Sequence, residues 1–501
     1  MSKRVFFGIA VLLAISLLLP AASFAQDGDD YTFTIVGGVE EPQTYADQEV
    51  EGIQFTTMTY RSLYPSGLEF RATITPPEGV TISQVTLFYT FATGKAGRVR
   101  AEQGENPDEW IAVPYAARGL PPWHEIDAYW GVRGPDDLSV NSEPVHAVYY
   151  DASREWYRAE SEDIVVYWYG MPVELGQYVL EAMAANRARY IAGFGDTLPY
   201  RPMAVIFPPG GDWNEYKGDE TVDDTDFGST GTIISEAGST IQRVRTLEPA
   251  AVRAECIWLP ENPTVAWQMR QAASVTTHEV LHLYQEEWGV RGPFWWFEGQ
   301  AKFFETQPMH PFHDRMRTLY ELRGDLPTLQ NSGPSGGPYT AAEDGCTHLG
   351  YDMGASFMTW LVEERDSMAT FRTVVDEMSS GATLEQALET ATGATLLELE
   401  NEWRAFLGVP PVPAEVLDPA LTLTEPVEPF VAVGEQFTLP TTPFQQPIYE
   451  RPADNAVASA ACFANNSVTI LQAGSDGTTN WYEVDCMGMV GWMSQDQLGQ
   501  Q

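Results

Sequence analysis

The five residues His278-Glu279-Val280-Leu281-His282 constrain this chain more than any other feature. They fall in a stretch whose spacing predicts a long helix, with Asn262-Pro263 as cap and first-turn proline, running to Trp288 before Gly289 ends it. Residues four apart share one helix face, so both imidazoles can reach a single metal ion while Glu279 projects beside them toward a water on that ion. The chain has only seven histidines, so chance produces this spacing far less than once. The bland alternative is two surface histidines on a solvated helix.

A catalytic zinc site uses three protein ligands and keeps one position open, so a third donor is expected downstream. The metzincin continuation is excluded, because Gln285 and Trp288 stand where it needs Gly and His. A glutamate on a following helix is the other common solution, and Trp296-Phe297-Glu298-Gly299-Gln300-Ala301 supplies one, with fifteen residues between His282 and Glu298. Glu305, two turns after Glu298 and on the same face, is placed to hydrogen-bond a ligating imidazole and fix its tautomer. A closed structural zinc site has no use for Glu279 and commonly employs four ligands including Cys, so the pattern favours catalysis over storage.

On HEVLH, the WFEGQAKFFE segment and Tyr351-Asp352-Met353-Gly354-Ala355, roughly residues 164 to 408 resemble the gluzincin metallopeptidases, specifically peptidase MA-like domains related to aminopeptidase N. The resemblance implies a thermolysin-like α+β domain with one zinc per chain on His278, His282 and Glu298, with Glu279 as general base and Tyr351 stabilising the tetrahedral intermediate. It also implies a substrate backbone lying along an edge strand near 230 to 235. The sequence departs from the family in three places. The spacer after His282 is shorter than in the aminopeptidases, the segment that holds a substrate amino terminus is absent, and Met353 replaces a lysine. Aminopeptidase specificity is therefore not carried over, and peptides or proteins are the substrates expected. The rival expectation is an adhesion or cell-wall-binding protein on a peptidase fold that no longer turns over.

The remainder of the chain surrounds this region. Lys3 and Arg4, an apolar run to Leu19 and the small residues ending at Ala25 read as a signal peptide over 1–25, predicting a secreted protein with no further membrane-spanning segment. The formal charge of -42 rules against nucleic acid as a partner. Alternating strands such as Leu68 to Ile74 and Val85 to Phe91 predict an immunoglobulin-like β-sandwich over 26–160. Its His124-Glu125 pair is not metal-binding, since the residue four on is Ala128. The catalytic domain then spans 161–408, a Pro-rich linker 409–434, and a small SH3-type β domain 435–501. In that last domain Trp481, Tyr482 and Trp492 serve either as core or as a platform for a wall or peptide ligand. The expected architecture is a multidomain α+β chain.

Four cysteines allow three pairings. Cys256 with Cys346 and Cys462 with Cys486 keep each bridge inside one domain, buried free thiols being the alternative. Asp219, Glu220, Asp223, Asp224 and Asp226 are donors that Ca2+ would use, but they lack EF-hand spacing and read more simply as a solvated loop. His310, His313 and His348, near the motif in sequence, read as exposed loop histidines, a role in substrate binding being the alternative.

Overall fold

The computed structural model describes residues 33–39, 41–114, 120–135, 137–209, 231–244, 264–305, 312–324, 326–330, 332, 349–412, 423–427, 431–441, 445–449, 452, 458–487 and 489–499. The architecture is mixed α+β. The signal peptide, the acidic residues Asp219 to Asp226, Cys256, Cys346, His310 and His348 lie outside the described residues.

Two antiparallel sheets form the N-terminal part. One runs Gln43–Thr44, Ile53–Ser62, Leu68–Thr75, Glu109–Ala112, Glu102–Gln103, with Gln48–Val50 beside Ile53–Ser62. The other runs Ser139–Asn141, His124–Arg133, Gln84–Phe91, Ala96–Arg100, with Val145–Tyr149 also on His124–Arg133. The strand period of two explains their faces. Leu68, Phe70, Ala72 and Ile74 are buried, while Arg71 between them turns outward to pair with Glu69 at 3.0 Å and Glu109 at 3.1 Å.

A third, mixed sheet lies between this sandwich and the helices, in the order Phe33–Gly37, Glu155–Glu160, Val165–Trp168, Met203–Phe207, Ser239–Arg243, Gly231–Ile234. Two strands that fall within the 26–160 segment, Phe33–Gly37 and Glu155–Glu160, are thus hydrogen-bonded into the sheet that carries Val165–Trp168. Its middle pairs are parallel. Both faces are covered, which is why these strands read as continuous apolar runs. Val166, Trp168, Ala204 and Ile206 belong to the core shared with the helices. Tyr167, Val205, Phe207 and Ile241, at alternate positions, pack into the sandwich core.

Against the helical face lie Glu174–Phe194, Val265–Glu287, Phe294–Glu305, Phe312–Arg323, Leu349–Thr359 with a π-helical continuation Trp360–Arg365, Met368–Ser379, Leu384–Thr392 and Leu396–Leu407. The last two open with capping boxes on Thr383 and Thr395. The ring of Tyr190 lies between Tyr284 at 4.7 Å and Phe304 at 5.3 Å, and so rivets Glu174–Phe194 to two further helices at once. No helix among the described residues is long and apolar enough to cross a membrane.

The C-terminal part is one six-stranded sheet around Ile448, Val468, Ile470, Tyr482, Val484 and Met493. Cys462 and Cys486 form a disulfide within it. Trp481 and Tyr482 are fully buried and Trp492 nearly so, so these aromatics pack the interior rather than present a binding platform. The segment expected to be a linker is anchored at both ends. Val409 and Val412 are buried against the helical unit, while Thr424 pairs with Ser475 and Val431 enters the C-terminal core.

Candidate metal centre

The helix Val265–Glu287 starts two residues later than Asn262-Pro263 predicts. Thr264 is its cap, extended at φ -110° and ψ 164°, with its hydroxyl accepting from the Trp267 amide at 3.2 Å. Gly289 ends the run with φ 65°. His278, His282 and Gln285 follow one another at helical spacing on a buried face. The helix is fixed from the sheet side by Gln242, whose side-chain amide donates to the Ala272 carbonyl and the Thr276 hydroxyl, both at 2.9 Å. Tyr190 ties it on the other side by donating to the Thr277 carbonyl at 2.9 Å.

Glu298 arrives on the next helix, Phe294–Glu305. The Ser274 and Thr277 hydroxyls donate to the Glu305 carbonyl at 3.0 and 3.2 Å, satisfying an end-of-helix acceptor and locking the two helices in register. On the opposite side the helix meets Leu349–Thr359 backbone to backbone. A Cβ on Gly299 would stand 2.5 Å from Gly354, and one on Gly354 would overlap the Trp295 carbonyl. These two glycines bring Glu298 and Tyr351 to the same place.

The three expected donors converge. His278 Nε2 lies 3.2 Å and His282 Nε2 3.3 Å from Glu298 Oε2, and the donor atoms of all three residues fall within 4.8 Å of one another. Donors at about 2.0–2.1 Å from one tetrahedral ion stand about 3.4 Å apart, so this spacing, with two imidazoles and one carboxylate, fits zinc. The far nitrogen of His282 is engaged, with Nδ1 2.7 Å from Gln285 Oε1. Among the described residues the buried Nδ1 of His278 has no hydrogen-bond partner, and the Glu305 carboxylate lies 3.8 Å from it. Glu305 in turn holds Lys302 at 2.6 Å.

Charge follows this geometry. Burial would lower the His282 imidazolium, but the hydrogen bond and charge of Glu298, with Glu279 and Gln285, push it up to about 9. Burial works against the Glu298 carboxylate as well, yet its bonds to His278 and His282 hold it well below the usual carboxylate range. The Glu279 carboxyl is pushed up chiefly by desolvation, against the pull of the two histidines. Tyr351 stacks its ring on His278 at 5.9 Å and 25°. Its phenol is raised by burial first, then by the charges of Glu298 and Glu279 and a hydrogen bond to Glu298.

The strand Gly231–Ile234 is the outer strand of the central sheet, antiparallel to Ser239–Arg243. A Cβ on Gly231 would overlap the Glu279 carboxylate, so this edge borders the site directly. His313 does not reach the site. It sits on the helix Phe312–Arg323, not in an exposed loop, with Nδ1 2.9 Å from the Ser356 hydroxyl and its ring on Phe406. Sequence reasoning used Gln285 only to exclude a metzincin and passed over Lys302. Spacing held the signal for both, one residue being three after His282 and the other three before Glu305 on their own helices.

No protein-family model matches the chain, and no curated protein is similar to it in sequence. Among solved structures the chain is similar to an aminopeptidase N family protein from Idiomarina loihiensis, at 11% identity over 86% of this chain and 94% of that one, with a TM-score of 0.28. It is also similar to an M1 zinc metallopeptidase from Deinococcus radiodurans, at 13% identity over 75% and 89%, with a TM-score of 0.25. A polysaccharide deacetylase from Bacillus cereus matches at 9% identity over 54% and 78%, with a TM-score of 0.17. Likenesses at this level carry no functional weight; the chemistry of the site rests on its own residues.

Proposed function

We propose that this chain is an exported zinc-dependent metallopeptidase, with a thermolysin-like catalytic unit between an immunoglobulin-like sandwich and an SH3-type module. The observation that carries the reading is the convergence of His278 Nε2 and His282 Nε2 on Glu298 Oε2, with the buried Glu279 alongside.

His278, His282 and Glu298 are the residues that would hold zinc, which when bound lowers the pKa of water toward neutrality and polarises a carbonyl. Glu279 takes the proton of the attacking water and delivers it to the amine that leaves as the C–N bond breaks. Its desolvated carboxyl, raised from the usual range, is suited to both directions of transfer. Tyr351, kept protonated by its surroundings, donates to the oxygen on which negative charge develops. Gly231–Ile234 offers an outer strand to which an extended peptide adds, with its scissile bond over Glu279.

Turnover of a broad peptide library by wild type and Glu279→Gln, measured in one assay with metal content, tests the reading. Cleavage lost in the variant with metal retained is the expected result; equal cleavage by both proteins refutes it.

A further inference from the structure

We infer that Gln285 is a positioning residue that sets the ring orientation and tautomer of His282, and through them the affinity of the site for zinc. The inference rests on the zinc reading above. It follows from a chain of hydrogen bonds in which each partner has one admissible role.

The side-chain nitrogen of Gln285 lies 2.9 Å from the Phe297 carbonyl, and a carbonyl only accepts, so the amide must present its NH2 there. The same NH2 reaches Gln300 Oε1 at 3.2 Å. The oxygen of Gln285 is therefore left facing His282, 2.7 Å from Nδ1. An amide oxygen also only accepts, so Nδ1 carries a hydrogen, which leaves Nε2, 3.3 Å from Glu298 Oε2, as the nitrogen that would ligate a metal held together with that carboxylate. Gln285 is fully buried, as is Gln300, so water does not compete for these bonds. Phe297 closes the arrangement with its own ring, stacked on His282 at 4.6 Å and 11°. Because Phe297 precedes Glu298, one side chain couples two of the three donors: it aims the second imidazole and holds the backbone from which the carboxylate projects.

The two imidazoles are thus held by different chemistry. His278 faces Glu305, a carboxylate already bonded to Lys302, whereas His282 faces a neutral amide. A glutamate at 285 would still accept from His282 Nδ1 but would have no hydrogen for the Phe297 carbonyl. That separates the two roles of the residue and supplies the test.

Zinc dissociation constants are to be measured by chelator competition on the full chain for wild type, Gln285→Met and Gln285→Glu, with thermal unfolding of each metal-free protein as the check on folding. Gln285→Met is expected to bind zinc about 10–100-fold more weakly, and Gln285→Glu to remain within a few-fold of wild type because it keeps the acceptor for His282. Wild-type affinity in a folded Gln285→Met overturns the inference. So does equal weakening in both variants, which would assign the residue to holding Phe297 alone. Should Gln285→Met not fold, a tenfold or greater loss in Gln285→Glu overturns the inference without it. A wild-type chain that binds no zinc would instead refute the proposed function.

Discussion

The chain contains two buried histidines that open a His-Glu pair, and they differ in everything that follows. His124 begins the strand His124–Arg133 and is 3% exposed; its Nδ1 donates to the Pro121 carbonyl at 2.7 Å and its Nε2 accepts from the Ser239 hydroxyl at 2.8 Å. Glu125, the next residue, points to the opposite face of the strand and is exposed. His278 begins its pair on a helix, where the next residue turns only by about 100° and the residue four on returns to the same face. Glu279 and His282 are accordingly both buried beside it. One dipeptide yields a structural pin on a strand and the start of a donor cluster on a helix.

The electrostatic consequence is opposite in sign. Burial, against the pull of the Pro121 carbonyl, pushes the His124 imidazolium down to about 4. Burial acts on His282 as well, but Glu298 reverses the outcome and raises it to about 9. Desolvation alone makes a histidine inert, and it is the shared carboxylate that makes a site. What His124 does is mechanical: its bond to Ser239 joins the sandwich to the central sheet at the strand next to Gly231–Ile234.

The largest effect that would sharpen this contrast is on Glu279. Glu279→Gln should lower peptide turnover by about a thousandfold or more with metal retained, whereas Glu125→Gln should leave turnover unchanged; parallel kinetics of the two variants make the comparison. Next is Tyr351→Phe, expected to cost about a hundredfold in kcat with little change in KM, and an unchanged kcat would remove Tyr351 from the reaction.

A smaller effect belongs to His124. Its folded value, about 4, lies below the ordinary 6.5, so its contribution to stability is complete above pH 6.5 and is lost as pH falls toward 4. The loss over that window is about 3 kcal/mol. Unfolding followed across this range should show His124→Gln losing less stability on acidification than wild type, and identical slopes would contradict the assigned burial. Smallest is the stability of Glu125→Gln itself, expected within about 0.5 kcal/mol of wild type in the same unfolding experiment.

What could be read before the fold was known follows the range over which each feature is encoded. The helix carrying HEVLH and the glutamate on the next helix are written in local spacing, and the structure brings those residues together. The pairing of Phe33–Gly37 with Glu155–Glu160 joins segments far apart in sequence, and alternation reports which face is apolar without reporting the partner. The approach of Gly299 to Gly354 was equally hidden, because a glycine records that something comes close without saying what. Thr264 displaced Asn262 as cap because both residue types satisfy the first turn, and only the geometry separates them. Trp481 and Tyr482 read as core in preference to a platform, and their full burial agrees with core.

The central claim is that His278, His282 and Glu298 form one zinc centre, and metal analysis of the purified chain beside its His278→Ala/His282→Ala double variant tests it most directly. The account predicts one zinc per chain in the wild type and none in the folded variant. A wild type without zinc, or a variant that retains it at full occupancy, would contradict it.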